Sequence, residues 1–225
     1  MVRVYKINSG RSKLNFLKSL SVNTSLILIN IVFFIIIFPL LSLKIIPVEY
    51  IAIKPNNILA GKYLWTFLTS MFMHGGLFHI FANMLSLFFV GSLTEKIIGA
   101  KRYLYLYLGS GLFAGLFFVI VSKFVFLGDV NTFAVGSSGA IFGIVGFLML
   151  ITPDLPVYLM FIPIPIKMKY AAPGILVVLW LISIEGNIPI GNTAHLGGLI
   201  LGVVYGFYLK KKFPNKINMI KKHFS

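Results

Sequence analysis

The 225 residues are 58% hydrophobic and only 11% charged, with a formal net charge of +15 and no cysteine. A soluble domain carries about 25% charged residues, so this composition excludes a soluble globular enzyme, a disordered chain and a merely basic nucleic-acid-binding domain. It points to an all-α, polytopic membrane protein, and the missing cysteines exclude disulfides, thiolate metal sites and a cysteine nucleophile.

In chain order, residues 1–24 read as a basic cytoplasmic arm with no acidic residue. Six apolar blocks follow, at 25–43, 77–93, 103–121, 138–151, 171–184 and 193–209, and their lengths favour helices over strands. Pro39 is expected to kink the first block near its outer end. The fifth block is short and carries Pro173 close to its start. Residues 154–170, with Pro156, Pro163 and Pro165, read as a cytoplasmic loop at the membrane interface, and 211–225 as a basic cytoplasmic tail. With both termini in the cytoplasm, sixteen of the twenty basic residues fall inside, leaving Lys44, Lys54, Lys62 and Lys123 outside. The asymmetry satisfies the positive-inside rule and requires an even number of spans, which supports six. The basic charge is thus a topology signal, with contact to membrane lipids rather than to nucleic acid.

Polar residues inside apolar blocks are costly and mark functional candidates. His79 and Asn83 lie in the second block, Ser138 opens the fourth and His195 stands near the start of the sixth. His79 lies 16 residues before Glu95, Ser138 15 before Pro153 and His195 15 before Lys210. At 1.5 Å per residue all three sit about 22–24 Å above the cytoplasmic boundary. Three polar groups from three helices therefore share one level. Ser138 lies in Gly136-Ser137-Ser138-Gly139-Ala140, followed by Gly143 and Gly146, and His195 precedes Gly198, Gly202 and Gly206. Small residues at this spacing let membrane helices touch, close enough for a histidine to reach a serine hydroxyl. A histidine at that distance can activate serine as a nucleophile. Free backbone N–H groups at the start of the fourth helix, with the Asn83 amide and the His79 ring, could receive the oxyanion.

These residues resemble the rhomboid family of intramembrane serine proteases. The stretch from Trp65 through His74 and His79 to Asn83 is similar to that family's loop-one and second-helix signature. Gly136 to Gly143 resembles its nucleophile motif, Ala194-His195-Leu196-Gly197-Gly198 its base motif, and Glu95 with Gly99 and Arg102 a turn of the family. The resemblance implies a six-helix catalytic domain over 25–210 with Ser138 as nucleophile, His195 as base, and Asn83, His79 and the Ser138 backbone lining an oxyanion hole. Gly136, Gly139, Phe142, Gly198 and His74 would support the site, with Phe142 against the His195 ring. It implies a serine endopeptidase without metal or cofactor, transmembrane proteins as substrates, sideways entry near the fifth helix, and a cap at 185–192. The default membrane is a prokaryotic plasma membrane. Thr66 stands where some members carry arginine in loop one.

Rival chemistries fit poorly. No H-E-x-x-H motif serves a metalloprotease, a three-histidine metal site from His74, His79 and His195 is a remote option, and Asp129 and Asp154 fall at helix ends rather than within the membrane. A channel or transporter would want charged residues along a path or broken helices in related halves. The alternative that remains is a rhomboid-like pseudoprotease that binds transmembrane clients without cleaving them.

Overall fold

The structure is a computed structural model and describes residues 20–125, 130–158, 164–186 and 191–224. The N-terminal arm up to residue 19, Asp129, Pro163 and most of the expected cap (187–190) lie outside the described residues. Helix α1 spans Val22–Ser42, with Pro39 in its last turns. Loop one contains a short 3₁₀ turn at Val48–Tyr50, α2 (Pro55–Leu59) and α3 (Thr66–Thr69). Helix α4 (Leu77–Ile98) is followed by α5 (Ala100–Phe124) and α6 (Ser138–Ile151). The strands β1 (Pro156–Val157) and β2 (Ile166–Lys167) pair antiparallel before α7 (Met168–Glu185), α8 (Asn192–Lys212) and α9 (Pro214–His223). By length and apolarity α1, α4, α5 and α7 can each cross a membrane.

Two stretches depart from the expected loops. The interfacial stretch after α6 is partly a small hairpin. Asp154 accepts from Lys167 Nζ at 3.2 Å and Lys169 Nζ at 2.9 Å, and these bonds hold its carboxyl below the ordinary range. Helix α7 consequently starts at Met168, three residues earlier than its apolar run, with Pro173 inside it. The basic tail is helical over α9. Phe213 breaks α8 with extended φ, Pro214 suits the first position of a new helix, and Ile217 turns inward with 3% exposure.

The core lies between α4, α5 and α6, where Leu87, Tyr103, Tyr107, Ile144, Phe147 and Leu148 are fully buried. Lipid is the solvent for the outer faces, where Ile29, Val32, Ile35 and Ile36 of α1 and Phe81, Phe88 and Phe89 of α4 are exposed. A polar clamp ties the chain together at one end. Glu95 accepts from the backbone N–H groups of Val22 and Asn23 at 2.9 Å each. It thereby caps α1, whose first N–H groups have no intrahelical partner, and complements the positive end of the helix dipole. Asn23 donates to the Leu87 carbonyl at 2.8 Å and to Ser92 Oγ at 3.0 Å, and accepts from Tyr103 Oη at 2.5 Å. The Leu87 carbonyl needs such a partner because α4 widens into a π-type turn over Leu87–Gly91, which disturbs the regular ladder. Gly91 permits the arrangement, since a Cβ there would meet Asn23 and the Tyr103 hydroxyl.

The positions of α6 and α8 follow from glycine. A Cβ at Gly198 would strike the Gly139 carbonyl, and one at Gly202 would strike the Gly143 carbonyl. Backbones thus touch along the seam, where dispersion replaces the hydrophobic drive that lipid removes. On the other face of α6, Gly143 leaves room for the Ser110 side chain of α5.

Candidate active site

Ser138 is the first residue of α6 and is half-buried. The segment before it is held by loop one. Ile53 and Ala134 exchange backbone hydrogen bonds at 3.1 and 2.9 Å, and Gly136 N–H donates to the Ser70 carbonyl at 2.8 Å. Loop one thereby acts as an edge against which the serine-bearing segment is laid, and its own ends are tied. Trp65 Nε1–H donates to the Tyr50 carbonyl at 2.9 Å, and Thr66, fully buried, bonds the Tyr63 carbonyl at 2.8 Å. Thr66, in the place of the resemblance's arginine, thus closes a local turn.

His195, in the first turn of α8, places Nε2 2.7 Å from Ser138 Oγ. Its ring stacks on Phe142 at 4.6 Å between centroids with planes 16° apart. Phe142 follows Ser138 by one helical turn, so one face of α6 carries both the hydroxyl and the ring that orients its neighbour. His195 Nδ1 is buried with no hydrogen-bond partner among the described residues. A neutral imidazole has one N–H and one acceptor nitrogen. With Nε2 accepting from Ser138 Oγ–H, the ring proton resides on Nδ1.

His79 and Asn83 follow from α4, four residues apart and hence on one face. His79 Nδ1 accepts from the Gly75 backbone N–H at 3.2 Å. That bond leaves the proton on Nε2 and makes this atom a donor. Gly136 lies directly under it: a Cβ at Gly136 would come within 2.9 Å of His79 Cε1 and Nε2, and φ there is +121°. Asn83 is buried and one N–H of its amide donates to the His79 carbonyl at 3.0 Å. Its second N–H is the one left for a ligand.

His74 is not among the groups at the serine. It is fully buried, places Nε2 3.4 Å from Ser137 Oγ, and meets the His79 ring edge-on at 5.1 Å. It therefore supports Ser137 and His79 from behind. Behind it runs a polar chain that the sequence reading passed over. Asn30 Nδ2 donates to the Leu26 carbonyl at 2.8 Å and lies 3.4 Å from the Tyr107 hydroxyl, which accepts from it. Asn23 and Asn30 stand seven residues apart on one face of α1, the first of them just before the first apolar block, and that spacing is the signal that could have revealed them. Among the described residues no group of three or more metal-ligating side chains comes together.

A model of the rhomboid domain matches residues 61–212. RHOMBOID-like protein 1 of Arabidopsis thaliana is 33% identical over 176 residues, covering 75% of this chain and 41% of that protein. Rhomboid protease GluP of Bacillus subtilis is 29% identical over 152 residues, covering 66% of this chain and 27% of that protein. A relative named inactive RHOMBOID-like protein 8, also from Arabidopsis thaliana, is 32% identical over 140 residues, or 61% and 36% of the two chains. The chain thus spans less than half the length of these curated relatives.

Proposed function

Because this chain belongs to the rhomboid family and is an integral, multi-pass membrane protein, we propose that it is an intramembrane serine endopeptidase that cleaves transmembrane segments of other proteins. The observation that carries the reading is the 2.7 Å contact between Ser138 Oγ and His195 Nε2. In this reading Ser138 Oγ attacks the scissile carbonyl carbon as its proton passes to His195 Nε2. The new oxyanion accepts from the free N–H groups at the start of α6, from His79 Nε2–H and from the second Asn83 amide N–H. The imidazolium then gives its proton to the leaving amine, and water hydrolyses the acyl-enzyme by the same route. A triad uses a carboxylate to orient its histidine; here the stack on Phe142 takes that part.

The accompanying topology has six spans with both termini cytoplasmic. The sixteen-to-four distribution of basic residues supports it. A second reading has one observation in its favour, namely that a relative of comparable identity is named inactive. In it the same fold binds transmembrane clients without cutting them.

Fluorophosphonate labelling of the purified protein separates the two readings. The protease reading expects covalent labelling of wild type and its loss in Ser138→Ala and His195→Ala, with all three proteins melting alike. A folded wild type that does not label, yet retains a transmembrane client, overturns it in favour of the binding reading.

A further inference from the structure

Helices α5 and α8 are not closed against each other along their whole length. A groove of about 290 Å³ runs between them, lined by Tyr105 and Leu106 of α5 and by Leu201, Val204, Tyr205 and Tyr208 of α8. The four α8 residues recur at i, i+3, i+4 and i+7 and so form one face. Gly198 and Gly202 draw α8 onto α6, and Gly197 seats its start against Phe117 of α5, above the groove. On the opposing wall Gly109 adds no side chain, and a Cβ there would find only Leu201 Cδ2, at 3.7 Å. From Leu201 to the end of α8 at Lys212 the face extends about 16 Å, so the groove reaches from a basic helix end well into the hydrocarbon.

That helix end carries a particular charge pattern. Tyr208 also borders a second recess, which it forms with Lys211 and Lys212. Lys212 Nζ donates to Tyr208 Oη at 2.9 Å. Lys101, at the start of α5, lies 6.0 Å from the centre of the Tyr105 ring on the other wall. Carboxylates that could neutralise these groups are engaged elsewhere, Glu95 on the α1 backbone and Asp154 on Lys167 and Lys169.

We propose that the α5–α8 groove is a binding site for an anionic glycerophospholipid, its phosphate held among Lys101, Lys211, Lys212 and the Tyr208 hydroxyl and one acyl chain lying along Leu201, Val204 and Tyr205. The apolar floor matches an acyl chain and the basic rim matches a phosphate, in the order in which a bilayer stacks them. A neutral lipid would satisfy the floor and leave the lysines uncompensated. The inference rests on the membrane-spanning reading of α5 and α8 and is independent of proteolysis.

The test is native mass spectrometry of the full chain in detergent, with palmitoyl-oleoyl phosphatidylglycerol or the matching phosphatidylcholine added. Wild type should retain the anionic lipid roughly 30- to 150-fold better, the scale set by two or three lysines near a phosphate. The double variant Lys211→Gln/Lys212→Gln should fall to the phosphatidylcholine level. Val204→Trp, or Leu201→Phe if that variant melts early, should lose both lipids by filling the groove. Inorganic phosphate should not displace the bound lipid. Equal retention of the two lipids by wild type overturns the site. So does a groove-filled variant that keeps the preference, or a loss just as large in Lys216→Gln/Lys221→Gln, because either would mean diffuse charge. Fluorophosphonate labelling run alongside keeps the two proposals apart, since a lipid-selective protein that never labels would remove the protease reading and leave this site standing.

Discussion

Gly136, two residues before Ser138, is constrained twice over. Its φ of +121° is a region L side chains rarely adopt, and a Cβ would press within 2.9 Å of the His79 ring. Gly136→Ala therefore strains the backbone by about 1–3 kcal/mol and pushes aside a donor proposed for the oxyanion. Loss of one such donor typically lowers rate about 100- to 1,000-fold. The expected result is labelling slowed by at least two orders of magnitude in a protein that still folds, measured by time courses of fluorophosphonate incorporation beside a melting curve. Wild-type labelling kinetics would remove His79 from the oxyanion hole. Tyr103 makes the opposite case, a residue far from the serine whose role is stability. Tyr103→Phe leaves Asn23 Oδ1 buried with its 2.5 Å donor gone. An unsatisfied buried acceptor costs about 1–3 kcal/mol. Unfolding titrations should move by that amount while labelling at low temperature stays unchanged; an unchanged titration would mean that water replaces the hydroxyl.

At the scale of elements, the α6–α8 seam decides whether Ser138 and His195 meet. Gly198→Ala and Gly202→Ala each drive a methyl into a backbone carbonyl of α6, whereas a methyl at Gly109 meets an ordinary van der Waals contact. Overpacking of this kind costs about 1–3 kcal/mol or more. The two seam variants should lower both stability and labelling, and Gly109→Ala should change neither, as read by melting and labelling side by side. Equal tolerance at all three positions would mean the helices are free to part. The seam was legible in the sequence because glycine every fourth residue in an apolar run has one strong physical meaning. Ser138, His195, His79 and Asn83 stood out because polar atoms are rare in such runs. Asn23 and Asn30 have the same chemistry, but Asn23 falls in the stretch read as the cytoplasmic arm, and Tyr103 and Tyr107 look like interfacial aromatics until their burial is seen. The π-type turn of α4 has no sequence signal at all. Asn23 from another helix donates to the Leu87 carbonyl that the turn frees, a contact 64 residues away that local periodicity does not encode.

At the scale of the whole molecule, the helices that carry the serine and the histidine are not among the four that are both long and apolar enough to cross a membrane. Helix α6 has 14 residues, about 21 Å of helix, and α8 is diluted by glycines and ends in Lys210, Lys211 and Lys212. Both are packed by other helices along much of their length, so neither needs the apolar surface that a lipid-facing span requires. The six-span topology therefore hinges on whether α6 and α8 cross, and one position separates the cases. Lys167 lies between α6 and α7. If α6 crosses, Lys167 shares a side with the α8 end at Lys211; if only α1, α4, α5 and α7 cross, it faces the side of loop one. The absence of native cysteine makes single-cysteine mapping direct. Lys62→Cys, exposed in loop one, should react with an impermeant maleimide added outside intact cells. Lys167→Cys and Lys211→Cys should react only after permeabilisation. External reaction at Lys167→Cys alone would reduce the fold to four spans with α6 re-entrant. External reaction at both Lys167→Cys and Lys211→Cys, with Lys62→Cys protected, would invert the whole molecule and place the serine near the opposite leaflet.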